Sequence, residues 1–207
     1  MSLVCNKILA LTPTQLRNKK QLAQDAGMEL LGAVSDVFRA LEMRHHGDSV
    51  ASTGVYLSSA ATRLSNATDL LGDVGTLLRS KALSPEAATW YQQLDYSRLY
   101  RSGVAAGQVP AGNDVWSELV ESTLTGGPVA VCDAYRARID RVADLLAGWL
   151  RKADDSDDPT TDETLIAIQS QMLSLTVYAQ CVAYLNKVEP LDTQWLPAPA
   201  ETVAATA

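Results

Sequence analysis

"GDSVASTGVYLSSAATRLSNATDLLGDVGTLL", residues 47–78, is the stretch on which the fold turns. Leu57, Leu64, Leu71 and Leu78 recur every seven residues, with Val50, Gly54, Ala61, Thr68 and Gly75 between them at steps of three and four. That period lays an apolar stripe along one face of a helix that begins at Asp48 or Ser49. A seven-residue leucine repeat also suits a zipper between chains, but such a zipper wants charged residues beside its seam. Here the flanking positions are Ser, Thr, Asn and Ala. Small flanks let a neighbouring helix of the same chain come close, so the stretch predicts one helix of an intramolecular bundle.

Upstream lies the partner for that helix. In "TPTQ", residues 12–15, Thr12 is placed as N-cap, Pro13 at the first helical position and Gln15 where a capping box closes. The stripe Leu16, Ala23, Gly27, Leu30, Val34, Val37, Leu41 then carries a helix over about 13–46. Between the two helices stands "RALEMRHHGDSVAS", residues 39–52. Gly47 suits the left-handed conformation after a helix end. Arg44, His45 and His46 place positive charge at the negative end of the helix dipole, and Asp48 or Ser49 caps the second helix. Two helices of roughly 33 residues, about 50 Å each, would form a long antiparallel hairpin.

Downstream the punctuation continues. Ser84 as cap, Pro85 and a stapling Leu83 open a third helix over about 85–107, carrying Trp90, Tyr91, Leu94, Leu99 and Val104. Asn113 caps a short helix over about 114–125, "TGGP" stops it, and Pro128 starts another with the stripe Val131, Tyr135, Ile139, Val142, Leu146, Trp149. Its other face is charged (Asp133, Arg136, Arg138, Asp140, Arg141, Asp144), as a solvated side would be. An acidic loop leads into a capping box of Thr160 and Glu163 and a last helix over about 161–188. That helix is apolar on most sides and is therefore expected at the centre of the bundle. The organisation predicted is an N-terminal arm at 1–12, one all-α antiparallel bundle of about six helices at 13–189, and a Pro/Ala-rich disordered tail at 190–207.

Composition bounds the function. Of 207 residues 47% are apolar and 20% are charged, an ordinary globular balance. The net charge of −7 argues against a protein that binds DNA by neutralising phosphates. Cys5, Cys132 and Cys181 are widely spaced and odd in number, so they read as free thiols of a reducing compartment. No basic leader precedes an apolar core at the N-terminus, and no uninterrupted apolar run of about 18 residues suggests a membrane span. A cytoplasmic location is the expectation.

Most chemistries lack their residues. Glu42 and His45 form a Glu-x-x-His, but a di-iron bundle needs that pair twice, and both histidines of the chain are already in this stretch. "DDSDD" lacks the sixth-position glycine and twelfth-position glutamate of a calcium loop, and "LTGGPVAV" lacks the spacing and lysine of a phosphate loop. No metal or cofactor is expected. Arg39 and His45, with five residues between them, resemble the Arg-x(4–6)-His signature of HEPN-type ribonucleases, which are also helical bundles. The resemblance covers this one motif. It implies a metal-independent ribonuclease in which two protomers join their sites, Arg39 steadying the scissile phosphate and His45 assisting proton transfer.

Two features point to partners. "WYQQLDYSRLYRSG", residues 90–103, gathers Trp90, Tyr91, Tyr96 and Tyr100 on one short helix, more aromatic surface than one buried face requires, and Tyr and Arg are enriched at interfaces. Trp195 sits in a tail that otherwise has little reason to keep a large aromatic, either packed back on the bundle or used as a docking motif. These five residues form the expected binding surface. The function they suggest is a non-enzymatic bundle acting through protein–protein interaction, as adaptor, scaffold or by self-association, with no DNA and no membrane as partner. The alternatives are the HEPN-like ribonuclease and a bundle holding a small apolar ligand beside the last helix.

Overall fold

The computed structural model describes residues 13–80, 85–112, 114–153, 160–188 and 193–197. Among the described residues six helices run in chain order: α1 (Pro13–His45), α2 (Val50–Arg79), α3 (Pro85–Gln93), α4 (Tyr96–Ala105), α5 (Val115–Ala153) and α6 (Thr160–Leu185), then a 3-10 turn, Thr193–Trp195. Among the described residues there is no strand, and the chain is an all-α bundle. The caps expected at Thr12, Leu83, Ser84 and Asn113, the arm at 1–12, the acidic stretch 154–159 and the tail beyond 197 lie outside the described residues.

The α1–α2 turn is built as its letters demand. Asp48 N–H donates to the Met43 carbonyl and Gly47 N–H to Arg44, both at 3.0 Å, with Gly47 at φ 83°. This paired closure satisfies the orphan carbonyls of α1 and needs the left-handed residue that glycine supplies. Ser49 then caps α2, its hydroxyl accepting from Ser52 N–H.

The hairpin core differs in detail from the predicted stripe. On α2 the heptad leucines 57, 64, 71 and 78 are all buried within the chain itself, as expected of an intramolecular seam. Their companions are Thr53, Ala60, Ala67 and Val74, one position before the predicted Gly54, Ala61, Thr68 and Gly75, of which Gly75 alone is also buried. On α1 the fully buried positions are Ala26, Leu30, Ala33, Val37 and Ala40, while Ala23 is exposed. Alanines thus recur every seven residues on α1 and small residues do so on α2, a pattern that permits the short end of the usual 8–10 Å interaxial range. Arg63 reaches from α2 to Asp36 and Glu29 on α1, and Ser59 donates to Asp36 at 2.7 Å.

Four long segments close a ring of antiparallel neighbours: α1 beside α2, α2 beside α5, α5 beside α6, α6 beside α1. Cys132 donates its thiol proton to the Leu71 carbonyl and Arg79 pairs with Asp133 across the α2–α5 seam. Arg44 pairs with Asp162 at 3.0 Å across the α1–α6 seam. The C-terminal helix is therefore not central. It buries one face (Leu165, Ile168, Met172, Leu175, Tyr178, Cys181, Tyr184) and leaves Ile166 and Leu173 exposed, because its apolar surplus lies on the flank toward α1 and not against a full ring of neighbours.

The helices expected at about 114–125 and from 128 are both found: the non-helical Gly127 (φ 61°, ψ −149°) kinks the chain between them and Pro128 opens the second, and the two are labelled together as α5. The single helix expected over 85–107 is broken into α3 and α4. Asp95 causes the break: its carboxylate accepts from Arg98 N–H as an N-cap, and its own N–H donates to the Trp195 carbonyl at 2.8 Å. Below the four-helix ring, α3, α4, the first part of α5, the end of α6 and the 3-10 turn enclose a second, aromatic core around Trp90, Leu99, Trp116, Leu119, Tyr178 and Tyr184. Tyr135 packs against both cores.

Candidate functional site

Ala26, Ala33 and Ala40 share the buried seam of α1 with Leu30 and Val37, and three other large apolar side chains of the helix stay outside it. Met28, Leu31 and Phe38 are 67%, 58% and 39% exposed. They stand at steps of three and seven, so they share one flank of the helix. With Arg63 marking the α2 side of α1, the helical period turns Leu31 and Phe38 toward the α6 side. On α6 the same construction turns Ile166 and Leu173, 62% and 50% exposed, toward α1, on the flank that carries Asp162 to Arg44. The Arg44–Asp162 pair fixes an antiparallel register in which Phe38 runs level with residues 166–169 and Leu31 with residues 173–176. Seven large apolar side chains are exposed among the described residues; Leu31 and Phe38 on α1 and Ile166 and Leu173 on α6 flank the α1–α6 seam, and Met28 lies one turn from Leu31 on the outward face of α1. A shallow depression lined by Ser35, Phe38, Arg39 and Glu42 lies beside it.

This strip was not among the surfaces expected from the sequence, where the stripe on α1 was Leu16, Ala23, Gly27, Leu30, Val34, Val37 and Leu41. The usable signal was the heptad Ala26, Ala33, Ala40, which leaves Met28, Leu31 and Phe38 with no interior to enter.

The expected surface on residues 90–103 and Trp195 is brought together around the second core. Trp90 is buried, with its ring edge-on to Tyr91 at 5.0 Å. Tyr91, Tyr96, Tyr100 and Trp195 are half-buried against that core. Tyr96 donates its hydroxyl proton to the Tyr91 carbonyl at 2.7 Å, and burial raises its phenol above the usual tyrosine range, with Tyr91 adding to the effect. The Tyr100 hydroxyl accepts from Gly112 N–H, and its ring lies 5.8 Å from Trp116. Arg98 covers the Trp195 ring at 5.7 Å, so this aromatic packs back on the bundle. The aromatic excess therefore furnishes a small core at the end of the ring.

Arg39 and His45 are both exposed on α1. Arg39 lies over the Tyr56 ring at 5.9 Å, whereas His45 ends the helix with its ring edge-on to His46 at 5.8 Å. A step of six residues sets them about 120° apart around the helix and about 9 Å along it, so they do not converge within one chain. Among the described residues no group of three or more His, Cys, Asp or Glu gathers as a metal site.

One charged group is enclosed. Arg138 is nearly buried at the joint of the two cores, pairing with Glu118, donating to Ser174 at 3.3 Å and lying over the Tyr178 ring. The face of α5 expected to be solvated is thus partly interhelical. Burial lowers the Arg138 pKa, with Tyr178 opposing and Arg141 reinforcing the shift. Burial raises the Tyr178 phenol; its oxygen has no hydrogen bond of standard geometry, although Ser122 lies near enough to favour the ionised form.

Helix α6 also meets the length and composition of a membrane span over Asp162–Leu185, where none was expected from the sequence. Its buried residues keep helical spacing against α5, the pattern of a helix packed in a core. Compared with protein-family models, with curated proteins and with solved structures, the chain matches none of them.

Proposed function

We propose that the protein acts by binding another protein through the α1–α6 strip, as an adaptor, a scaffold or by self-association. One feature carries the reading: exposed Leu31 and Phe38 on α1 and exposed Ile166 and Leu173 on α6 stand on the two flanks of one seam, with exposed Met28 one turn from Leu31. Scattered apolar residues are ordinary on any surface; a contiguous strip with polar margins is what association sites use. The shape of the candidate also favours this reading. It is shallow and long, suited to a helix or a second surface and not to an enclosed small molecule.

The test is site-specific photo-crosslinking in the native host. A benzoylphenylalanine at Leu31 or at Leu173 should give a discrete protein adduct. The same group at Ser65, exposed on α2, should give none. No adduct at either strip position, or equal labelling at Ser65, would sink the proposal.

A further inference from the structure

The break between α3 and α4 holds a short stretch of the chain's own C-terminal segment. Asp95 is the N-cap of α4, its carboxylate accepting from Arg98 N–H at 2.9 Å. In a capping box the third helical residue is Glu or Gln, whose side chain reaches back to accept from the N-cap N–H. Here that residue is Arg98, which has donors and no acceptor. The Asp95 N–H is satisfied from outside the helix, by the Trp195 carbonyl at 2.8 Å. Arg98 instead lies over the Trp195 ring at 5.7 Å. Trp195 and Leu196 are half-buried against the aromatic core that also contains Leu94 and Leu99.

A donor, a cation and an apolar wall thus converge on one short segment. The Asp95 N–H reads its backbone, Arg98 the face of its indole, and the aromatic core its apolar side chains. Peptide-recognition sites divide their work in the same way: main-chain hydrogen bonds hold the segment and side-chain contacts select it.

We infer that the α3–α4 break is a binding site for a tryptophan–leucine segment, which the chain keeps closed with its own residues 193–196. The site shares no residue with the α1–α6 strip. Its closure is releasable: a backbone hydrogen bond, a cation over a ring and two half-buried side chains hold it, whereas the α1–α2 hairpin is held by fully buried side chains along its length. Lightly held segments open at far less cost than the whole fold. Four residues, 189–192, tether the segment to Val188 just beyond α6. A short tether gives an effective concentration on the order of 1 mM, so the attached segment prevails over a free one without binding tightly. When it leaves, the Asp95 N–H and Arg98 stay where the cap of α4 sets them, ready for a segment of the same kind.

The experiment is a titration of the full chain with a fluorescent peptide copying residues 190–199. Trp195→Ala removes the indole that fills the site, and this variant should bind the peptide with a Kd of about 100 µM. Wild type should bind at least about tenfold more weakly, because its own segment competes at about 1 mM. Adding Arg98→Ala to the Trp195→Ala chain should weaken binding about two- to fivefold, as loss of an exposed cation–ring contact does. A peptide that itself carries Trp195→Ala should not bind. Thermal melts establish that each variant is folded. No binding to a folded Trp195→Ala chain, equal binding to wild type and variant, or indifference to Arg98→Ala would overturn the inference. Hydrogen exchange reads the same closure in the wild type, without any substitution. The Asp95 amide should exchange at least about a hundredfold faster than that of Ile139, buried in the middle of α5. Equal rates would mean that the segment opens only with the whole fold, and would overturn the inference too.

Discussion

The guanidinium of Arg138 lies 4.6 Å from the centre of the Tyr178 ring, at the point where the four-helix core gives way to the aromatic one. Its partner Glu118 is more than half exposed, so that ion pair contributes little; the stacking over a largely dehydrated ring contributes more. Arg138→Ala should lower unfolding free energy by about 2 kcal/mol and Glu118→Gln by under about 1 kcal/mol. Urea unfolding of both variants checks the order; a larger loss for Glu118→Gln would mean that charge pairing, not stacking, holds the joint.

Two glycines should respond in opposite directions to one added methyl group. At Gly103 a Cβ would stand 2.7 Å from Val109 Cγ2 and 2.9 Å from Tyr184 Cε1, so α4 would have to move off α6. Gly103→Ala should cost about 1–3 kcal/mol. At Gly27, inside α1, a Cβ meets nothing within 4 Å. Gly27→Ala should stabilise by about 0.5–1 kcal/mol through helix propensity. Paired thermal melts decide both signs.

The alanine seam and the strip on α1 are separable by substitution. Ala33 is fully buried against α2, and Ala33→Leu should cost about 1–3 kcal/mol by forcing the hairpin apart. Leu31, two residues away and exposed, should tolerate Leu31→Ser within about 0.5 kcal/mol of monomer stability. Denaturation at concentrations low enough to exclude association measures both; a large loss at Leu31 would mean that the residue belongs to the core.

Stability should fall in alkali. Burial raises the Cys132 thiol, with Asp133 reinforcing it, and raises the Tyr135 and Tyr178 phenols. Each neutral form is thus favoured by the folded state. Their contribution is complete below the unfolded-state values, about 8.5 for Cys and about 10 for Tyr, and is lost as pH climbs from there toward the folded values. Urea midpoints at pH 7, 9 and 10.5 should therefore decline, with a slope of up to about 1.4 kcal/mol per pH unit for each titrating group. Burial raises the Cys181 thiol too, so Cys132→Ala should remove part of the decline that begins below pH 10 and Cys132→Ala/Cys181→Ala the rest; a decline unchanged by the double substitution would contradict this account.

How far the sequence was legible depended on whether a rule was local. The Gly47 turn, the Ser49 cap and the buried leucines of α2 each depend on a few neighbouring letters, and each is found as expected. The break at Asp95 also has a local cause, yet it was passed over, because aromatic residues on both sides kept the apolar pattern running. The backbone bond that Asp95 makes to Trp195 could not be read at all, since it joins positions a hundred residues apart.

The strip and the position of α6 failed for a shared reason. Hydrophobic pattern counts apolar faces but does not say whether a neighbour covers them. An all-round apolar helix reads as central, whereas α6 sits in a ring and meets α1 over a short contact, leaving Ile166 and Leu173 outside. On α1 the predicted stripe took Ala23 and passed by Ala26, Ala33 and Ala40: alanine contributes little transfer energy, so pattern marks it weakly, yet a seam of alanines sets helix spacing through its small size.

The hydrogen-bonded turn around Gly47 also bears on the order in which this chain assembles. Only four residues separate the last residue of α1 from the first of α2, so closing that loop costs little entropy and the seam can zip from the turn outward, to Ser59–Asp36 at 23 residues apart and Arg63–Glu29 at 34. During synthesis both halves of the alanine and leucine seam are available once residue 80 has emerged, before any of α5 or α6 exists. The hairpin is then the nucleus onto which the later helices condense. Substitutions at Ala33 and Leu64 should slow folding, whereas those at Leu146 and Met172 should chiefly speed unfolding.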